Sequence, residues 1–169
     1  MPDTIPAGQR ITAERWNSRA PVLKNYTAIN ANTSTTTTTE VTAITTPSLT
    51  FETGRAYRIT YKGLVNSSVS GDTVRLRVHL TDNAGITCID SMNSGVAPIN
   101  GNGGNGLFNF DNIVTNTTGA DITEPLIGTY NRQSGSGNVL IAASATHAAY
   151  LEVWDVGPAS DFPGATALS

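Results

Sequence analysis

The sequence has 169 residues, of which 38% are hydrophobic and 14% charged, with a formal net charge of −3. A chain of that length holds one domain and an arm. Its weak charge excludes both the disorder signature, low hydrophobicity joined to high net charge, and the clustered basic footprint of a nucleic-acid binder.

Residues 1–10, with Pro2, Pro6 and Gly8, read as an extended arm. "TAERWNSR" (12–19) predicts one or two helical turns capped by Thr12. Pro21 ends them, because a residue before proline is pushed out of the α region. Ile11, Arg15, Trp16 and Leu23 form a small set with no core of its own in this part of the chain. Trp and Arg are frequent interface anchors, so residues 1–22 are expected to anchor the chain to a partner.

From Pro21 onward the hydrophobic period is two. "TTTTTEVTAITTPSLTF" is Thr-rich, and Thr, being β-branched, fits a pleated surface; Val41, Ile44, Leu49 and Phe51 give it apolar anchors, and Pro47 divides it. "YRITYKG" alternates Tyr57, Ile59 and Tyr61 against Arg58, Thr60 and Lys62. "TVRLRVHLTD" alternates Val74, Leu76, Val78 and Leu80 against Arg75, Arg77 and His79. These are half-buried strands. The turn residues of "VNSSVSGD" between them predict a hairpin, with Arg75, Arg77 and His79 on a solvated face. Further strands are expected near Ile86–Ile89, Gly106–Val114, Leu126–Arg132, Val139–Ala143 and Tyr150–Val156, separated by flexible turns such as "GNGGNG" and "QSGSGN". Short strands at regular spacing indicate an all-β fold, an antiparallel β-sandwich or jelly roll. The domain is expected over residues 23–157, with 158–169 leaving it as a coil. The expected core is Tyr57, Ile59, Tyr61, Val74, Leu76, Val78, Leu151 and Val153.

Signs of catalysis are sparse. The lone Cys88 rules out an intrachain disulfide and a thiolate metal cage. No run approaches the roughly 18 apolar residues of a membrane helix, and "MPDTIPAGQR" lacks the apolar core of a secretory signal. His79 and His147 are the two histidines, and no G-x-S-x-G elbow accompanies them. "GNGGNG" (Gly101–Gly106) precedes a strand-like run without Lys, unlike a phosphate loop at a helix start. The carboxylate pairs Asp82/Asp90 and Asp111/Asp121 lack calcium-loop spacing, and sequence does not show the separation that glycosidase chemistry needs. No enzyme, no cofactor, no catalytic residue and no metal site is expected.

"ETGRAYRITYKGLVNSSVSGDTVRLRV" (Glu52–Val78), followed by "AAYLEVWDVGP" (Ala148–Pro158), resembles a recurring type of virion protein in tailed phages of actinobacteria. Leu151, Val153, Asp155, Gly157 and Pro158 fill the closing pattern, and "ITAERWN" resembles the opening of the same proteins. The resemblance implies a minor tail, fibre or head-decoration protein that assembles with other virion proteins, without nucleic-acid or membrane contact. Its Asn/Gly insert at Ser91–Gly106 departs from the pattern. Two apolar faces on the C-terminal strands call for a second covering layer. Leu140, Tyr150, Trp154 and Val156 are therefore expected at a subunit interface, in a closed assembly for which the resemblance favours a homotrimer. A module that binds host-surface glycans, with Tyr150 and Trp154 stacking on sugar rings, is the alternative.

Overall fold

A computed structural model describes residues 20–94, 97–98 and 103–168. Its strands in chain order are β1 (Val22–Ile29), β2 (Val41–Thr45), β3 (Leu49–Phe51), β4 (Arg55–Ser67), β5 (Thr73–Leu80), β6 (Thr87–Ser94), β7 (Ala97–Pro98), β8 (Gly104–Thr115), β9 (Ile122–Glu124), β10 (Leu126–Ser134), β11 (Val139–Ala142), β12 (Ala149–Pro158) and β13 (Thr166–Ala167). A seven-stranded sheet runs β1-β12-β4-β8-β13, with β11 on β4 and β7 on β8; a four-stranded sheet runs β2-β10-β5-β6; β3 and β9 pair separately. The large sheets pack as an antiparallel sandwich, apart from the parallel β13–β8 contact. All eight expected core residues are fully buried.

The strands β4 and β5 are not a hairpin. They pair with different neighbours, in different sheets, and face each other across the core. Each has one apolar face, and a sandwich buries both of these faces against each other. The crossing is fixed by the buried Asp72, which accepts hydrogen bonds from Ser67 Oγ (2.6 Å), Gly137 N (3.0 Å) and Ser136 N (3.1 Å). A Cβ on Gly135 would lie 1.9 Å from that carboxylate. The glycines of "QSGSGN" therefore serve close packing.

The Thr-rich segment is a strap between the two sheets. Thr36 pairs with Val139 on β11, and Thr33 bonds to Ile141 there. On the other side Tyr130 Oη donates to Ser34 O and Arg132 N donates to Thr37 O (2.7 Å). Three other expectations also change. "GNGGNG" is not simply a loop, since Gly104 and Gly106 belong to β8, and a Cβ on Gly106 would meet the Asn93 side chain at 2.7 Å. Residues 158–168 are not a coil: a 3₁₀ turn (Ala159–Asp161) leads to β13, and Leu168 is fully buried. That one apolar side chain gives the tail a reason to return. His79 is 4% exposed, not solvated. Its ring stays on the side of β5 that carries Arg77 and is covered there by Glu40, Thr87 and the Gly85 carbonyl.

Candidate functional site: an aromatic and charged sheet face

The motif that carries the family resemblance is structural. Arg55 grips Asp155 through two bonds (2.7 and 3.1 Å), and Asp155 also accepts from Gly157 N (3.0 Å). Gly54 and Gly157 have φ of 73° and 122°, a region that favours glycine. Tyr57 Oη accepts from Glu52 N at 2.6 Å. The spacing of these residues is thus set by how the end of β12 locks onto the start of β4.

A second polar cluster lies on the outer face of the four-stranded sheet. Glu40, at the end of the strap, accepts from Arg77, from Thr129 Oγ and, at 3.0 Å, shares a hydrogen bond with His79 Nε2. Burial opposes ionisation of Glu40, but the bonds from Thr129 and His79 and the nearby charges outweigh it and hold the carboxyl below its ordinary range. Asp90 is held low chiefly by its bond from Arg75. Arg75 and Arg77 are therefore half-buried and paired rather than merely solvated. Asp82 bonds to Ala84 N and Asp121 to Thr53 N. Among the described residues neither imidazole hydrogen-bonds a serine hydroxyl: the ring of His147 meets Thr146 Oγ, and that of His79 meets Glu40, Thr87 and Gly85 O. Among the described residues no group of three or more His, Cys, Asp or Glu is placed to hold a metal, and no helix is long and apolar enough to cross a membrane.

The outer face of the seven-stranded sheet is different, because its polar groups have few partners. Strand register sets three rows across β1, β12, β4 and β8. The first is Leu23, Trp154, Arg58 and Ile113; the second is Tyr26, Glu152, Thr60 and Asp111; the third is Ala28, Tyr150, Lys62 and Asn109. Leu23 is 46% exposed and Tyr26 52%. The Tyr26 and Tyr150 rings lie 5.0 Å apart, tilted by 36°, and the Arg58 guanidinium lies 6.0 Å from the Trp154 ring centre. Along the same face Leu64 and the 81% exposed Leu107 are neighbours.

Of the expected site residues, Leu23, Tyr150 and Trp154 therefore share one face. Val156 lies just beyond them, where β12 shifts register against β4, and Leu140 sits opposite Asn66 on β11. All four of the expected interface residues are half-buried. Ile11, Arg15 and Trp16 lie outside the described residues. Sequence reasoning missed Tyr26, Arg58, Lys62 and Asp111, because β1 carries no clear alternation and cross-strand rows depend on register.

No protein-family model matches the chain, and no curated protein matches it in sequence. Solved structures similar to it include that of the infectious bursal disease virus Gx strain, with 21% identity and a TM-score of 0.45 over 88% of this chain. The T13 particle of the same virus gives 13% and 0.43 over 82%, and its VP2 subviral particle gives 18% and 0.42 over 83%. This chain spans only 34%, 36% and 38% of those chains.

Proposed function

We propose that the chain is a non-enzymatic structural component of a tailed-phage particle, a minor tail, fibre or head-decoration protein. Its N-terminal arm anchors it to another virion protein, and its sandwich is exposed on the particle, where the outer face of the seven-stranded sheet is covered by another copy. The observation that carries this reading is that face: Leu23, Tyr26, Tyr150 and Trp154 project from a sheet whose inner side already fills the core. An antiparallel sheet with one wet face alternates cleanly between apolar and polar; this one does not. The family resemblance in the arm and in the β4–β12 lock supplies the virion setting, and assembly there takes place in the host cytoplasm.

Deleting residues 2–20 tests the anchoring role. The truncated protein is expected to fold and to be missing from purified particles. Normal incorporation of the truncated chain would overturn it. The glycan reading is favoured less, because Arg58 occupies a position over Trp154 where a sugar ring would stack; binding on a glycan array would reinstate it.

A further inference from the structure

Most described cations are matched within the chain. Lys24 pairs with Glu52, Arg55 with Asp155, Arg75 with Asp90, and Arg77 with Glu40 and Asp90; Arg132 donates to the carbonyl of Gly137. Arg58 and Lys62 are the exceptions among the described residues. Both are exposed, and both point outward from β4. On the strands either side, Glu152 and Asp111 flank Thr60, the residue midway between the two cations. Asp111 is exposed and makes no ion pair among the described residues, and the partner of Glu152 is the Trp154 indole N–H.

The four charges form a diamond. The cations lie at its ends along β4, each two residues from Thr60, about 6.7 Å away; the anions lie at its sides, one strand away, about 4.8 Å. That pattern restricts how two such faces can meet. A two-fold axis along β4 sets Arg58 over itself and Lys62 over itself. An axis across β4 sets Arg58 over Lys62 and each anion over itself. Both arrangements oppose like charges and are disfavoured. A diagonal axis sets every cation over an anion, and it crosses the strands of the two sheets at near right angles, a known packing class.

Two diagonals exist, and the corners of the diamond separate them. One sets Trp154 over the partner's Asn109. The other sets Trp154 over the partner's Trp154, Asn109 over the partner's Asn109, and Tyr150 over the partner's Ile113, so that apolar groups meet apolar groups. In the second, Arg58 meets the partner's Glu152 and Lys62 meets the partner's Asp111. Leu23 then falls beside the partner's Val156. The depression between Ile113 and Phe162 lies where the partner's Tyr150 arrives.

We infer that the outer face of the seven-stranded sheet binds a second copy of this chain through a crossed, two-fold contact, built on Arg58–Glu152 and Lys62–Asp111 pairs between copies. The inference rests on the reading that another copy covers this face. Self-complementarity is what selects a second copy over a foreign partner, since an unrelated surface has no need of a pattern that matches itself. Two-fold order replaces the three-fold order that the resemblance implies.

Sedimentation equilibrium of the full chain at low salt tests both layers. A dimer is expected, weakened about tenfold or more by either Arg58→Glu or Glu152→Arg. Mixing those two variants is expected to restore a one-to-one dimer, because both cross-pairs become opposite in sign. Mixing Arg58→Glu with Asp111→Arg is expected to leave two repelling pairs and no rescue. A wild-type monomer at micromolar concentration would overturn the covering by another copy. A trimer would keep that covering and overturn the two-fold contact. A dimer rescued by both mixtures, or by neither, would overturn the crossed pairing.

Discussion

Three tyrosines are fully buried in the core, and they differ in one respect. Tyr57 Oη accepts from Glu52 N, and Tyr130 Oη donates to Ser34 O. Tyr61 Oη has no partner among the described residues; its ring packs edge-on against Phe108 at 4.9 Å. An unsatisfied buried hydroxyl costs about 1–3 kcal/mol. Tyr61→Phe removes that cost and leaves an oxygen-sized void of about 15 Å³, worth about 0.4 kcal/mol at roughly 24 cal/mol per Å³. Deleting an atom from this core is therefore expected to stabilise the protein by about 1–2 kcal/mol, raising Tm by about 2–4 °C per kcal/mol. The same deletion at Tyr57 or Tyr130 removes a hydrogen bond and is expected to destabilise by about 1 kcal/mol. Urea titrations of the three variants, followed by tryptophan fluorescence and checked for equal m-values, give the comparison. A destabilised Tyr61→Phe, similar to the other two, would show that the hydroxyl is satisfied and refute the reasoning.

Burial pushes the Tyr57 hydroxyl up to about 12 and Tyr61 in the same direction. Both therefore contribute stability that is complete below the unfolded value near 10 and lost as pH rises above it, for Tyr57 between about 10 and about 12; urea midpoints should be flat to about pH 10 and then fall, less steeply in Tyr57→Phe. Glu40 and Asp90 are shifted the other way, so their contribution is present above the unfolded carboxyl range and lost as pH falls through the lowered native values; Glu40→Gln should flatten the acid limb of the stability curve. Leu76→Ala should cost about 2–5 kcal/mol by equilibrium unfolding. Burial raises the Cys88 thiol to about 12, so a disulfide reagent at neutral pH should label it only after denaturant is added.

Class and core were legible because they are local. Alternation in "YRITYKG" and "TVRLRVHLTD" states which side of each strand is apolar, and any sandwich must bury those sides. Trp154 and Tyr150 could be named for the same reason: they stand on the opposite side of a strand from Leu151 and Val153. What alternation leaves open is which strands become neighbours. The β4–β5 turn was legible as a turn, but its role as a crossing between sheets depends on Asp72 meeting Gly137, 65 residues away. His79 keeps the alternation of its strand, on the same side as Arg77, and is buried all the same because the Glu40 carboxylate, 39 residues away, covers it. The tail reads as coil by composition, yet the single side chain of Leu168 returns it to the core. The charge diamond is the clearest case. Arg58, Lys62, Asp111 and Glu152 are four scattered letters in the sequence, and only the register of β12, β4 and β8 sets them around Thr60. Period and polarity are properties of neighbouring residues, so sequence carries them; register and proximity are properties of the closed chain, so the tertiary fold decides them.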